Sequence, residues 1–97
     1  MEFKLEKDVL TFFLTGKLNS SNSEEIEQEI DNILKNNEFK SVVFDLGDLT
    51  YISSAGLRIL LRVKQEHDDT KLIKVSDEIY DIFDMVGFSN FLTIEKK

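Results

Sequence analysis

The sequence predicts an α/β domain in which about three helices pack on a central mixed sheet of about four to five strands. Segments with apolar residues at helical spacing alternate along the chain with short, nearly continuous apolar runs that are typical of buried strands. The chain has 97 residues, of which 41% are hydrophobic and 32% charged, which is enough for one compact domain spanning residues 1–97. No proline-rich or glycine-rich linker divides it.

The first third of the chain predicts a hairpin followed by a helix. Phe3 and Leu5 alternate with polar residues, and residues 9–15 form a second strand-like run after Lys7-Asp8. Residues 16–23 are polar and rich in residues that cap helices, which indicates a loop. The helix that follows carries one apolar face, made of Ile26, Ile30, Ile33 and Leu34.

The middle of the chain predicts a strand, a helix and another strand. Residues 41–46 are apolar enough for a strand covered on both faces, and residues 47–52 are expected to turn away from it. A second helix is expected to begin around Ser53-Ser54, and residues 72–75 form the next strand.

The last quarter predicts a helix and a final strand. Ser76 is placed to cap a third helix, and Gly87 is placed to end it in a left-handed conformation. Residues 91–94 then form a short strand. The predicted order of elements is therefore β-β-α-β-α-β-α-β.

Charge and composition exclude several classes of function. Nineteen acidic and twelve basic residues give a net charge of -7, which disfavours sequence-independent binding to nucleic acid. The chain lacks cysteine, and its single histidine, His67, cannot supply a multi-histidine metal site. No apolar run approaches the roughly 20 residues that span a bilayer, and the N-terminus lacks the apolar stretch of a signal peptide. We expect a cytoplasmic protein without cofactor, metal ion or membrane insertion.

Residues 45–57 carry the most informative pattern. They combine a strand end, a turn, two hydroxyl residues at the start of a helix, a small residue and a glycine. Because a helix N-terminus offers unpaired N–H groups and positive dipole character, an anion on Ser54 would be stabilised there. Gly56 would keep the first turn free of bulk and let another protein approach closely. The alternative is that Ser53 and Ser54 form an ordinary N-cap.

This stretch resembles the signature of STAS domains, in particular that of the small bacterial anti-sigma factor antagonists. That signature has an aromatic-aliphatic pair, then Asp-Ser-Ser/Thr-Gly, then a Leu or Val that opens a helix. Residues 15–19 (Thr-Gly-Lys-Leu-Asn) resemble the family's Gly-x-Leu-acidic loop, and residues 82–88 resemble its third helix with a terminal glycine. The resemblance covers nearly the whole chain and implies the STAS fold.

The resemblance also implies a function. In that family the serine before the Ser/Thr-Gly pair, Ser54 by position, accepts a phosphate from a kinase that is also an anti-sigma factor. The unphosphorylated domain binds the anti-sigma factor and releases a sigma factor, and phosphorylation reverses this. A serine phosphatase is a further implied partner. The chain departs from the pattern at Ser53 (Asp in the family), at Ala55 (Ser or Thr) and at Asn19 (acidic), so Ser53 is an alternative modified residue.

The predicted partner-binding residues surround Ser54 in the sequence: Asn19, Tyr51, Ser53, Ala55, Gly56, Leu57, Arg58 and Arg62. Arg58 and Arg62 lie one helical turn apart. The two arginines either contact a partner or a phosphate, or they belong to a solvated helix face. Tyr51 either stacks at an interface or seals the core. 

Two other functions remain open within the same fold. One is a regulatory subunit of a membrane transport complex, and the other is an interaction module that is never modified. Catalysis is not expected, because the serines lack a nucleophile-elbow motif, no histidine lies near them in the sequence, and no phosphate-binding glycine-rich loop is present.

Overall fold

The structure, a computed structural model, describes residues 1–97 and contains the predicted elements in the predicted order. The bounds are β1 (Glu2–Glu6), β2 (Val9–Leu18), α1 (Ser23–Asn36), β3 (Ser41–Ile52), α2 (Ser54–Glu66), β4 (Thr70–Val75), α3 (Asp77–Met85) and β5 (Thr93–Lys96). The five strands form one sheet in the order β1-β2-β3-β4-β5. Strand β1 is antiparallel to β2 and the other neighbours are parallel, so the predicted mixed sheet is confirmed.

The sheet begins with the hairpin that the sequence predicted. Lys7 and Asp8 connect β1 and β2, and both have positive φ, 50° and 67°. Two successive left-handed residues are the signature of a type I′ turn, whose twist matches that of the strands it joins. The turn therefore sets the register in which Glu6 faces Val9.

The core lies between the sheet and the helices. Each pair of neighbouring parallel strands is joined by one helix, and the strands follow one another across the sheet in a single direction. Because such crossover connections are right-handed, all three helices lie on the same face of the sheet. Alternate residues of the central strands point into this core, where the rings of Phe12 and Phe44 stack with centroids 5.2 Å apart. The intervening residues, such as Thr11, Val43 and Ile73, line a groove on the opposite, helix-free face.

Strands β2 and β3 are longer than the sequence suggested. The expected turn after Leu46 is wrong, because β3 continues to Ile52. Strand β4 pairs with β3 only as far as Asp45, and beyond it β3 pairs with β2 alone through two register shifts. Residues 16–18, expected in a loop, are therefore the end of β2, and the carbonyl of Gly16 accepts a hydrogen bond from the Thr50 hydroxyl at 2.9 Å.

The C-terminal part agrees with the sequence except at the last strand. The Ser76 hydroxyl accepts a hydrogen bond from the Ile79 N–H at 3.2 Å, and Gly87 has φ +79°, so both predicted helix boundaries are confirmed. A short 3-10 helix follows, and β5 begins at Thr93 rather than at Phe91, whose side chain is 64% exposed. None of the helices has the length and hydropathy needed to cross a membrane.

Candidate functional site at the start of helix α2

The candidate site lies where β3 ends and α2 begins. Strands β2 and β3 are parallel, so their carboxyl ends meet at the same edge of the sheet, and Leu18 and Ile52 form the last pair. The Ser53 N–H donates a hydrogen bond to the Leu18 carbonyl at 2.8 Å. The loop that follows β2 is thereby held beside the first turn of α2, and this carboxyl edge is where α/β sheets commonly place binding sites.

The two serines of the motif have different environments. Ser53 is the N-cap of α2: its backbone is extended (φ -89°, ψ 172°) and its hydroxyl oxygen accepts the Gly56 N–H at 3.3 Å. Ser54 is the first residue of the helix, and it is exposed, whereas Ser53 is half-buried. The predicted helix start is confirmed, and the capping role falls to Ser53 alone.

Gly56 and Leu57 point into the protein. Both are buried, and an added Cβ on Gly56 would lie 2.7 Å from Leu18 Cγ and 2.8 Å from Ile52 Cγ1. The expectation that Gly56 opens the surface to a partner is wrong. Its missing side chain instead lets α2 approach the end of the sheet, and Leu57 anchors the helix in the core, so neither residue lies on a surface that a partner could touch.

Asn19 organises the loop next to Ser53. Its side-chain oxygen accepts hydrogen bonds from the Ser21 hydroxyl at 2.7 Å, the Ser21 N–H at 3.0 Å and the Asn22 N–H at 3.2 Å. The Asn22 side chain closes the loop by accepting the Asn19 N–H at 2.8 Å and donating to the Lys17 carbonyl at 2.7 Å. The uncharged amide therefore holds residues 19–22 in one shape.

Tyr51 lies on the surface. Its side chain is 45% exposed, so the alternative that it seals the core is wrong. It faces Lys17 across the β2–β3 pairing, and Lys17 is exposed as well. Sequence reasoning missed Lys17, although alternation in the run Gly16-Lys17-Leu18 would have placed it outward once the run was assigned to a strand.

The two arginines of α2 differ. Arg58 is exposed, lies one turn after Ser54, and makes no ion pair within the chain. The half-buried Arg62 donates hydrogen bonds to Glu27 at 2.9 Å, Asp31 at 2.6 Å and Glu66 at 2.8 Å. Partial burial lowers the pKa of the Arg62 guanidinium, but these three carboxylates outweigh burial and raise it. Arg62 thus clamps α1 to α2, and the expectation of an exposed arginine is wrong there.

Ala55 lies between these features. It is half-buried and lines a shallow groove between α1 and α2 together with Arg58 and Arg62. A methyl group here leaves the surface next to Ser54 without a second hydroxyl. The groove connects the first turn of α2 with the arginine clamp.

The charges near Ser54 favour an anion. Helices α1 and α3 each carry two acidic residues in their first turn, whereas the first turn of α2 carries none. The N–H groups of Ser54 and Ala55 have no partner within the helix, because first-turn amides lack a preceding carbonyl. A negative group on Ser54 would therefore meet unpaired donors and no like charge in the first turn of its own helix. No cluster of His, Cys, Asp and Glu in the structure is suited to a metal ion.

Comparison with known proteins defines the class. The model of the STAS domain family matches residues 1–97, and this chain belongs to that family. It is 35% identical over 85 residues to BtrV of Bordetella bronchiseptica, a protein assigned to the anti-sigma factor antagonists, with 84% of this chain and 72% of BtrV covered.

Solved structures share the fold. The anti-sigma factor antagonist SpoIIAA of Bacillus, in its unphosphorylated form, superimposes with a TM-score of 0.74 at 19% identity, covering 96% of this chain and 87% of SpoIIAA. A structure of phosphorylated SpoIIAA superimposes with a TM-score of 0.66 over 96% and 90% of the two chains, also at 19% identity. A sulfate transporter family protein from Wolinella succinogenes superimposes with a TM-score of 0.75 at 15% identity, covering 95% and 80% of the two chains.

Proposed function

We propose that this protein is an anti-sigma factor antagonist controlled by phosphorylation of Ser54. Unphosphorylated, it binds an anti-sigma factor that has serine kinase activity, and a sigma factor is thereby released. Phosphorylated, it leaves the anti-sigma factor. The observation that carries this proposal is that the two serines have different structural roles. Ser53 is half-buried and caps α2, while Ser54 is exposed and does not cap the helix.

The chemistry of the first turn supports a phosphate at Ser54. A phosphoserine adds about -1.5 to -2 charges at neutral pH. Here it would meet the free N–H groups of α2, and Arg58 four residues later could pair with it across one helical turn. The domain can then accept the modification without refolding, so the effect falls on the partner.

The partner surface proposed around Ser54 consists of exposed and half-buried groups from three segments: Lys17, Asn19, Tyr51, Ala55 and Arg58. In the complex, the partner would pack closely against the neutral Ser54 hydroxyl. A phosphate dianion in its place would lose its hydrating water and would be repelled by any acidic group or nucleotide phosphate of the partner. A change of about 3 kcal/mol in binding free energy would lower the affinity by roughly two orders of magnitude.

The test is a set of pull-downs from extracts of the source cells, with tagged wild type, Ser54→Ala, Ser54→Asp and Ser54→Asn. The alanine and asparagine variants should retain the anti-sigma factor, and the aspartate variant should lose it. Asparagine is the matched control, because it has the size of aspartate without its charge. Equal recovery by all four proteins would contradict the switch.

A second measurement locates the phosphate. Incubating the recovered kinase with wild-type protein and ATP should add one phosphate, and mass spectrometry of peptides should place it on Ser54. A phosphate on Ser53 would contradict the assignment, and absence of phosphate with the partner bound throughout would favour an unmodified interaction module.

A second function is favoured by the similarity in fold to the Wolinella sulfate transporter family protein. On that proposal the domain is a regulatory subunit of a membrane transport complex. The same pull-downs discriminate, because such a subunit should recover a transport ATPase equally well as Ser54→Ala and Ser54→Asp.

A further inference from the structure

Strand β1 forms an open edge of the sheet. It is the first strand in the sheet order, it pairs only with β2, and all five of its residues are exposed. In a two-residue hairpin the pair that flanks the turn, here Glu6 and Val9, is hydrogen-bonded. Because such pairs alternate along an antiparallel ladder, the backbone groups of Phe3 and Leu5 point away from β2. They are free to pair with another strand.

The side chains of β1 separate by chemistry. Phe3 and Leu5 face Phe12 and Leu10 in register, so they lie on the helix-bearing side of the sheet, with 40% and 41% of their surfaces exposed. Glu2, Lys4 and Glu6 lie on the helix-free side and alternate in charge. The edge thus presents apolar groups on one side and alternating charges on the other.

We propose that this edge binds a second copy of the chain, with the two β1 strands antiparallel around a two-fold axis at Phe3. In this register Phe3 faces the partner's Phe3, and Glu2 faces the partner's Lys4 in both directions. Opposite charges directly across a strand pair are stabilising and like charges are destabilising. The charge sequence of β1 is therefore complementary to itself.

The chemistry of β1 selects this register over its neighbours. A shift by one residue would bring apolar side chains to the helix-free side. An axis at Lys4 would oppose two lysines and set Glu2 against Glu6. An axis at Leu5 would bring Phe3 against Lys7, whose left-handed backbone (φ 50°) cannot continue a ladder.

The dimer would form one continuous ten-stranded sheet, twice the five strands of each copy. A two-fold axis perpendicular to the sheet keeps the helices of both copies on one face and reverses the strand direction. The two Ser54 residues would then lie at opposite ends of the sheet, each open to its own partner. This inference does not rest on phosphorylation.

The test measures self-association by sedimentation velocity from micromolar to millimolar protein. Wild type should dimerise with increasing concentration. Lys4→Glu should weaken the dimer about tenfold, because two attractive cross-strand pairs become repulsive. The double variant Glu2→Lys/Lys4→Glu exchanges the charges and should restore it. Glu6→Lys, which lies outside the paired residues, is the matched control and should dimerise like wild type.

Several outcomes would overturn the proposal: wild type monomeric up to millimolar concentration, failure of the double variant to restore a dimer that Lys4→Glu weakens, or a loss with Glu6→Lys equal to that with Lys4→Glu. Circular dichroism and thermal melting of each variant verify folding. Hydrogen exchange gives a second readout, because the Phe3 and Leu5 amides should become protected as concentration rises. Binding of the partner from the pull-downs should be the same for Lys4→Glu and wild type.

Discussion

Replacing Gly56 with alanine should destabilise this protein, although the same change inside a helix normally stabilises by about 1 kcal/mol. The new Cβ would lie 2.7 Å from Leu18 Cγ and 2.8 Å from Ile52 Cγ1, far inside van der Waals contact. Both neighbours are almost fully buried, at 1% exposure each, so neither can move away freely. Because three atoms would lie within 3.0 Å of the new Cβ, we place the overpacking cost in the upper part of the usual range of about 1–3 kcal/mol, at about 2–3 kcal/mol, which outweighs the gain of about 1 kcal/mol in helix propensity.

We expect a net loss of about 1–2 kcal/mol in the free energy of unfolding, or a decrease in Tm of about 4–16 °C for a domain of this size. Urea and thermal denaturation measure it. The contrasting background is Leu18→Ala, which removes the contact at 2.7 Å but leaves Ile52 in place. There, Gly56→Ala should cost less than in wild type. A higher Tm for Gly56→Ala in the wild-type background would refute the steric argument.

Two further predictions concern α2. Ser53→Ala should lower the free energy of unfolding by about 1 kcal/mol, because the Gly56 N–H loses its acceptor. Ser53→Asp should be close to wild type in stability, since aspartate also caps helices. Equal losses of stability for the two variants in thermal melting would exclude a capping role for Ser53. Arg62→Met should leave Glu27, Asp31 and Glu66 facing one another and lower stability by about 1 kcal/mol at low salt. That loss should shrink in molar salt, where the screening length falls to about 3 Å; a loss independent of salt would contradict an electrostatic clamp.

The three positions at which this chain departs from the STAS motif affect the structure of the site in different ways. Serine at position 53 keeps the capping acceptor that an aspartate would provide, but it removes a negative charge next to Ser54. Alanine at position 55 removes a hydroxyl from the groove between α1 and α2. Asparagine at position 19 keeps three hydrogen bonds to the loop without charge. The hydrogen bonds that hold the site in shape are therefore present, and the site carries less negative charge than the family motif would give it.

The local sequence determined much of this protein. Element order followed from the spacing of apolar residues, and the boundaries at Ser53, Ser76 and Gly87 followed from capping chemistry. These features depend on interactions within one turn or one strand, so a short window of sequence contains them.

Tertiary structure alone decided the rest. The full length of β3 depends on pairing with β2, the inward direction of Gly56 depends on Leu18 from another strand, and the clamp of Arg62 joins carboxylates 31 and 35 residues away. Each arises when segments distant in sequence pack together, and a polar or small residue gives no local sign of which distant group it will meet. Periodicity reports which face of an element is buried, but only packing determines what that face contacts.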